Sequence, residues 1–192
     1  MNAKRLEAFS DGVMAIIITI MILEIKAPEG DALMSLKPIF NKFIAYVLSF
    51  IYVGIYWNNH HHLWQAVERV NGRILWANLH LLFWLSLMPF ATAWMGEHYS
   101  APVPVAVYGF VLFMASVAWY ILAVLVVKEE GERSRVAQAF QRDMKTKWSM
   151  AIYGVATIIA MYLPMVSIIV YAALAAAWFI PDRRIERNMG PT

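Results

Sequence analysis

Residues 5–25 read RLEAFSDGVMAIIITIMILEI, an apolar run with Arg5, Ser10 and Asp11 at its mouth and Glu24 at its close. It is long enough to cross a bilayer as a helix, which takes ~20 residues. Charge in hydrocarbon is costly, so polar groups held at such positions demand partners. At ~100° per residue, Arg5, Phe9, Gly12, Ile16, Thr19, Ile20 and Leu23 fall on one stripe, spaced by three and four. Met14, Ile17, Met21 and Ile25 fall on the opposite side, wholly apolar, as a surface against lipid or protein should be. Ser10 and Asp11 point sideways. Asp11 lies ~240° around the helix from Arg5, so the two cannot pair with each other on one helix. The carboxylate is expected to find donors on neighbouring helices, with Ser10 and Asp11 acting as a packing lock.

The rest of the chain follows the same pattern. Of 192 residues, 61% are hydrophobic and only 15% charged, and the mean hydropathy is +0.56. A soluble domain is nearer half apolar and a quarter charged. Apolar blocks fall at about 6–25, 38–57, 74–96, 102–127, 146–162 and 165–180. The stretch from Trp148 to Ile180 would be ~50 Å long as one helix, more than a ~30 Å hydrocarbon core accepts. Pro164 in "YLPMVS" supplies the break, so a tight hairpin is predicted there, and Pro89 a kink in the third span. This is an all-α membrane protein of six transmembrane helices in one domain spanning 1–192. Asp11 and Glu24 do not suit a signal-peptide h-region, so the first segment is expected to stay as a span. Cysteine is absent, which excludes disulfides and thiolate metal sites. A net charge of +3 is too small to suggest nucleic acid.

Six spans put both termini on one side, and the basic residues say which. With the termini lie Lys4, Arg5, Arg69, Arg73, Lys128, Arg133, Arg135, Arg142, Lys145, Lys147, Arg183, Arg184 and Arg187. The other side holds Lys26, Lys37 and Lys42. Both termini are predicted to be cytoplasmic. Segment 128–147 reads as a short amphipathic helix on that surface. Tyr52, Tyr56, Trp57, Trp64, Trp94, Tyr99, Trp148 and Trp178, near span ends, are expected in the interfacial belt.

Arg5-x-x-x-Phe9-Ser10-Asp11, followed by GVMAIIITIMILEI, resembles the signature of the potassium channel family called transmembrane protein 175, in its bacterial form. YWNNHHHLW (56–64) resembles the family's W-x-x-H-H segment, and the six spans and the length also match. Met14 stands where the family usually has an aromatic. The resemblance implies a homotetramer whose first helices line a central pore. Carried over by position, Ile16, Ile20 and Leu23 form the constriction and Thr19 a hydroxyl layer beside Ile16. These four already share the stripe of the helical plot. No T-V-G-Y-G segment is present, so carbonyl rings of the usual potassium-channel kind are not expected. A hydrophobic neck would instead pass potassium over sodium modestly, by the lower dehydration cost of the larger ion. Arg5, Ser10 and Asp11 then act as struts, against Trp57, Asn58, His60 and His61 and third-span groups such as Asn78 and His80.

Two other functions compete. His60, His61 and His62 suggest a metal-dependent membrane enzyme, with Asp11 or Glu24 as a further ligand. Adjacent helical side chains diverge by ~100°, however, and a helical pair needs i and i+4 spacing, where position 64 is tryptophan. No cofactor and no resident metal are expected, only permeant potassium. A secondary transporter is the other alternative. It calls for inverted repeats and broken midplane helices, and the sequence offers only Pro164 and Pro89.

Overall fold

The computed structural model describes residues 3–65, 67, 70–131, 134, 137 and 144–179. The chain is all-α, with no strand among the described residues. Helices α1 (Ala3–Leu23), α2 (Phe40–Gln65), α3 (Gly72–Ser86), α4 (Met88–Glu97), α5 (Pro102–Glu130), α6 (Met144–Ala160) and α7 (Pro164–Phe179) make six rods. The second rod starts with a 3-10 turn, Leu33–Ile39, which contains Pro38. The third is α3 followed directly by α4.

The break in the third rod has a local cause. Pro89 occupies the first turn of α4, where its missing N–H costs nothing. Inside a continuous helix it would have cost an i→i−4 bond. Pro164 likewise opens α7 directly after α6 ends at Ala160. Four rods are long and apolar enough to cross a membrane, namely Ala3–Leu23, Leu33–Gln65, Gly72–Glu97 and Pro102–Glu130. Helices α6 and α7, of 17 and 16 residues, reach only about 25 Å each. The second rod extends past the predicted 57 to Gln65 because nothing in YWNNHHHLW breaks a helix. Of segment 128–147, the start continues α5 to Glu130 and the end opens α6 at Met144. Most of the proposed surface helix lies outside the described residues, as do Arg69, Arg133, Arg135, Arg142, Arg183, Arg184 and Arg187.

Helix α5 is the centre of the bundle and packs against α3, α4, α6 and α7. It suits that role by being rich in small residues, with Ala106, Gly109, Ala115, Ser116, Ala118 and Ala123 all buried. Small residues let backbones approach closely where lipid supplies no hydrophobic drive for helices to associate. At Gly109 a Cβ would collide with the Tyr171 hydroxyl of α7 and crowd Thr157 of α6. Helices α1, α2, α3 and α4 form a second cluster, in which α1 touches each of the other three.

Polar groups between the helices are mostly paired. Thr92 Oγ1 donates to Ser49 Oγ at 2.7 Å, and Ser49 Oγ lies 3.0 Å from the Tyr108 hydroxyl, joining α4, α2 and α5. The Tyr52 hydroxyl donates to the Tyr171 carbonyl at 2.6 Å, joining α2 to α7. Tyr52 is only 1% exposed and Trp64 only 3%. Both were expected in the interfacial belt and are instead core residues, because each has a polar handle satisfied inside the bundle. Asn71 caps α3 by accepting from the Arg73 and Ile74 amides, and its own amide donates to Glu129 of α5 at 2.6 Å.

The ends of the rods alternate as six spans require. Asn59, late in α2, meets Thr146 at the start of α6 and Trp178 at the end of α7 around one cavity. At the opposite end, Glu24 beyond α1 meets Lys42 of α2 and Glu97 of α4, with Lys42 and Glu97 ion-paired at 2.7 Å.

Candidate functional site

Helix α1 divides cleanly into two faces. Leu6, Ser10, Met14, Ile17 and Met21 are buried against the rest of the subunit. Met14, on the side expected to face lipid or protein, is a core residue at 1% exposure. Arg5, Phe9, Gly12, Ile16, Thr19, Ile20 and Leu23 are all exposed. Ile16 is 58% exposed and Leu23 76%. The stripe drawn from spacing alone is thus the face that the subunit leaves uncovered. It is apolar apart from Arg5 at one end and the Thr19 hydroxyl. That hydroxyl donates to the Ile16 carbonyl at 2.9 Å, so its proton is spent on its own helix and its oxygen faces outward as an acceptor.

The buried side of α1 carries the hydrogen bonds that set its rotation. Ser10 Oγ donates to the Leu6 carbonyl at 2.8 Å and accepts from Asn78 Nδ2 at 2.9 Å. Asn78 Oδ1 lies 2.8 Å from His60 Nε2, and Trp64 Nε1 donates to the same Nε2 at 2.7 Å. One chain of contacts thereby ties α1 to α3 and α3 to α2. Ser10, His60 and Asn78 each have zero exposure. A deprotonated Nε2 accepts from the indole, whereas a protonated Nε2 donates to Asn78 Oδ1. The single atom cannot do both. His60 Nδ1 is buried without a partner among the described residues.

A second set of bonds joins α1 to α2 nearer the bundle end. Trp57 Nε1 donates to Asp11 Oδ1 at 3.1 Å. His61 Nδ1 lies 2.9 Å from Glu7 Oε1, and Gln65 Nε2 is 2.8 Å from the other ring nitrogen. The indole of Trp57 stacks on the His61 imidazole with centroids 6.0 Å apart. Glu7 was missed in the sequence because nothing in its neighbourhood distinguishes it from a solvated helix-end acid.

Not every expected strut is in the network. His80 accepts from Trp84 of its own helix at 2.9 Å and does not reach α1. Asn58 is exposed, and no hydrogen bond ties its side chain to α1. Arg5 is exposed on the stripe and makes no hydrogen bond or ion pair within the described residues of its own subunit. The histidines do not converge, since His60 faces α3 and His61 faces α1. Among the described residues no group of three or more His, Cys, Asp or Glu shares one site.

Residues 5–89 match the model of the family described as endosomal/lysosomal potassium channel TMEM175. That span holds both motifs and every residue of the network just described. A potassium channel of Chryseobacterium sp. (strain P1-3) is 53% identical over 189 residues, covering 98% of each chain. A potassium channel of Streptomyces collinus is 37% identical over 129 residues, 63% of each chain. The crystal structure of a lysosomal potassium-selective channel TMEM175 homolog from Chamaesiphon minutus superposes with a TM-score of 0.82 at 27% identity. It covers 93% of this chain and 96% of that one.

Proposed function

The chain belongs to the TMEM175 potassium-channel family, and from that premise we propose that four copies surround a pore lined by the exposed stripe of α1. The protein is an ion channel, not an enzyme. One observation carries the pore reading: Ile16, Thr19, Ile20 and Leu23 are exposed along a single helical face while the opposite face of α1 is locked into the subunit. A single apolar face of that kind suits either lipid or other copies. The Thr19 oxygen in the middle of it, with its acceptor side outward, favours a face that meets ions and water.

Rings of Ile16, Ile20 and Leu23 form the constriction in this reading. A narrow apolar neck excludes water when closed and conducts only when widened. Potassium is favoured over sodium modestly, because the larger ion loses its hydration more cheaply and the Thr19 oxygens replace part of it. Ser10, Asp11 and their partners on α2 and α3 hold the helix at the rotation that aims the stripe at the axis. Both termini lie in the cytoplasm of a bacterial cell whose inner membrane carries the protein. The excess of Lys and Arg in the segments on the side of both termini supports this orientation.

Purified protein in a planar bilayer, with potassium on one side and sodium on the other, tests the reading. Single-channel currents with a reversal potential displaced toward potassium are expected, and no saturation with a carried substrate. Slow, saturating flux without unitary currents would move the protein to the transporter class.

A further inference from the structure

The stripe of α1 ends at Leu23, which is 76% exposed, and the next residue is Glu24. No ionisable residue lies between Asp11 and Glu24, so Glu24 is the first charge beyond the apolar face. It is exposed, and its carboxylate makes no hydrogen bond or ion pair among the described residues. It lines a cavity of about 10 Å³ together with Lys42, Tyr46, Thr92 and Glu97, room for about one water. An ammonium is therefore at hand, but it is taken. Lys42 Nζ lies 2.7 Å from Glu97 Oε1.

The remaining charges of this bundle end cancel. Between α1 and α2, Lys26 and Lys37 are matched by Glu29 and Asp31, and Lys42 is matched by Glu97. With His98 neutral at pH 7, Glu24 is the carboxylate left over. The side chains of Lys42 and Glu97 are 30% and 50% exposed, and an ion pair so open to solvent adds little to stability. What the pair does decide is where the ammonium sits. Without the charge of Glu97, Lys42 has Glu24 as the other carboxylate lining the same cavity.

We infer that Glu24 gathers permeant cations at the mouth of the pore, and that Glu97 keeps Lys42 from cancelling its charge. The inference rests on the pore reading, in which the Glu24 carboxylates of the four copies surround the axis just beyond the Leu23 ring. Rings of acidic side chains serve cation channels in this way. A mouth lined by one sign of charge, with low-dielectric walls, raises the local concentration of counter-ions. Glu24 holds no ion in place; it acts through its field on cations about to enter the apolar neck. That field treats potassium and sodium alike, so the choice between them stays with the stripe.

Unitary potassium conductance in planar bilayers tests this at about 0.1 M KCl, where a charge acts over ~10 Å, and at about 1 M, where screening cuts the range to ~3 Å. E24Q is expected to lower conductance about twofold at the lower salt and to leave it unchanged at the higher. E97Q frees Lys42 to pair with Glu24 and should reproduce that fall with Glu24 intact. K42Q/E97Q removes both partners and should restore the parent value, which loss of a merely structural tie would not do. These two variants carry the test if E24Q does not assemble. The reversal potential between potassium and sodium should stay the same in all three. Unchanged low-salt conductance in E24Q, an equal fall at both salts, or a double variant as low as E97Q overturns the inference. Ile16→Asn, recorded alongside, separates it from the pore reading. Altered conductance there with E24Q unchanged keeps the pore and removes Glu24 from its mouth. Unchanged conductance in both takes the stripe out of the pore and the inference with it.

Discussion

Asp11 accepts from Trp57 through one oxygen, and Arg5 stands six residues earlier on the exposed stripe with no partner among the described residues of its own subunit. In the proposed assembly of four, each α1 would face its neighbours, and Arg5 and the second Asp11 oxygen would meet the surfaces of other copies. Asp11→Asn and Arg5→Ala are therefore expected to lower tetramer yield. The reversal potential of the channels that do assemble should stay where it was. Size-exclusion chromatography with light scattering, read beside bilayer recordings, checks both halves, and a stable tetramer with altered selectivity would defeat the strut role. Ile16→Asn acts differently. It adds a hydrogen-bonding amide to the apolar neck, so current should rise and selectivity fall, whereas unchanged conductance takes Ile16 out of the pore. His60→Phe strands Asn78 and Trp64, both of which bond only to it on that side. A loss of about 1–3 kcal/mol for the unpaired groups is expected, visible as a lower melting temperature that chelators do not reproduce in the parent protein. Ser10, Asp11 and Trp57 were legible as a group in the sequence, because polar residues at fixed places in apolar helices must meet one another. The Glu7–His61 pair was not. Its members are 54 residues apart, and each alone looks like an ordinary polar residue at a helix end.

At the scale of elements, apolar block length predicted the rods well, because a helix must match the bilayer thickness. Boundaries inside the blocks depended on single residues. Pro89 does more than kink the third rod: it starts a separate helix after Leu87. Interhelical contact is set at particular small residues, above all Gly109, where Tyr171 and Thr157 close over the α5 backbone. Gly109→Ala should force α7 away from α5 and destabilise by about 1–3 kcal/mol, the usual cost of overpacking a filled core. Thermal unfolding in detergent reads this directly, and Gly12→Ala, where a Cβ meets nothing within the subunit, is the control for subunit stability. Asn71→Ala removes both the cap of α3 and its tie to Glu129 of α5. About 1 kcal/mol is expected for the cap alone. Nothing local marks Gly109 as critical, since its role exists only once α5, α6 and α7 are packed.

For the molecule as a whole, the exposed face of α1 is the feature that one subunit cannot explain by itself. A rod whose outer stripe includes Ile16, Ile20 and Leu23 could meet lipid. A potassium channel needs an axis, however, and the proposed pore takes the α1 stripe, with the Thr19 hydroxyl oxygen outward, as the face that meets it. Cross-linking of a cysteine placed at Leu23 is expected to join copies into dimers if the stripe converges on the axis as proposed. Exclusive labelling of that cysteine by lipid-soluble reagents, without any dimer, would place α1 at the lipid boundary instead.

The sequence by itself determined the class, the number of rods and the face of α1. All three follow from periodicity and block length, which depend on the 3.6-residue turn and the thickness of hydrocarbon and need no knowledge of neighbours. Tertiary structure alone decided which polar groups meet. Ser10 reaches Asn78 across 68 residues of chain and Tyr52 reaches Tyr171 across 119, and His80 turns to Trp84 and away from α1. It also decided that Tyr52, Trp64 and Met14 are core. The physical reason is the same in each case. Whether a side chain on a membrane helix meets lipid, water or another helix depends on how the rods pack laterally, and lateral packing is not a periodic property of any one of them.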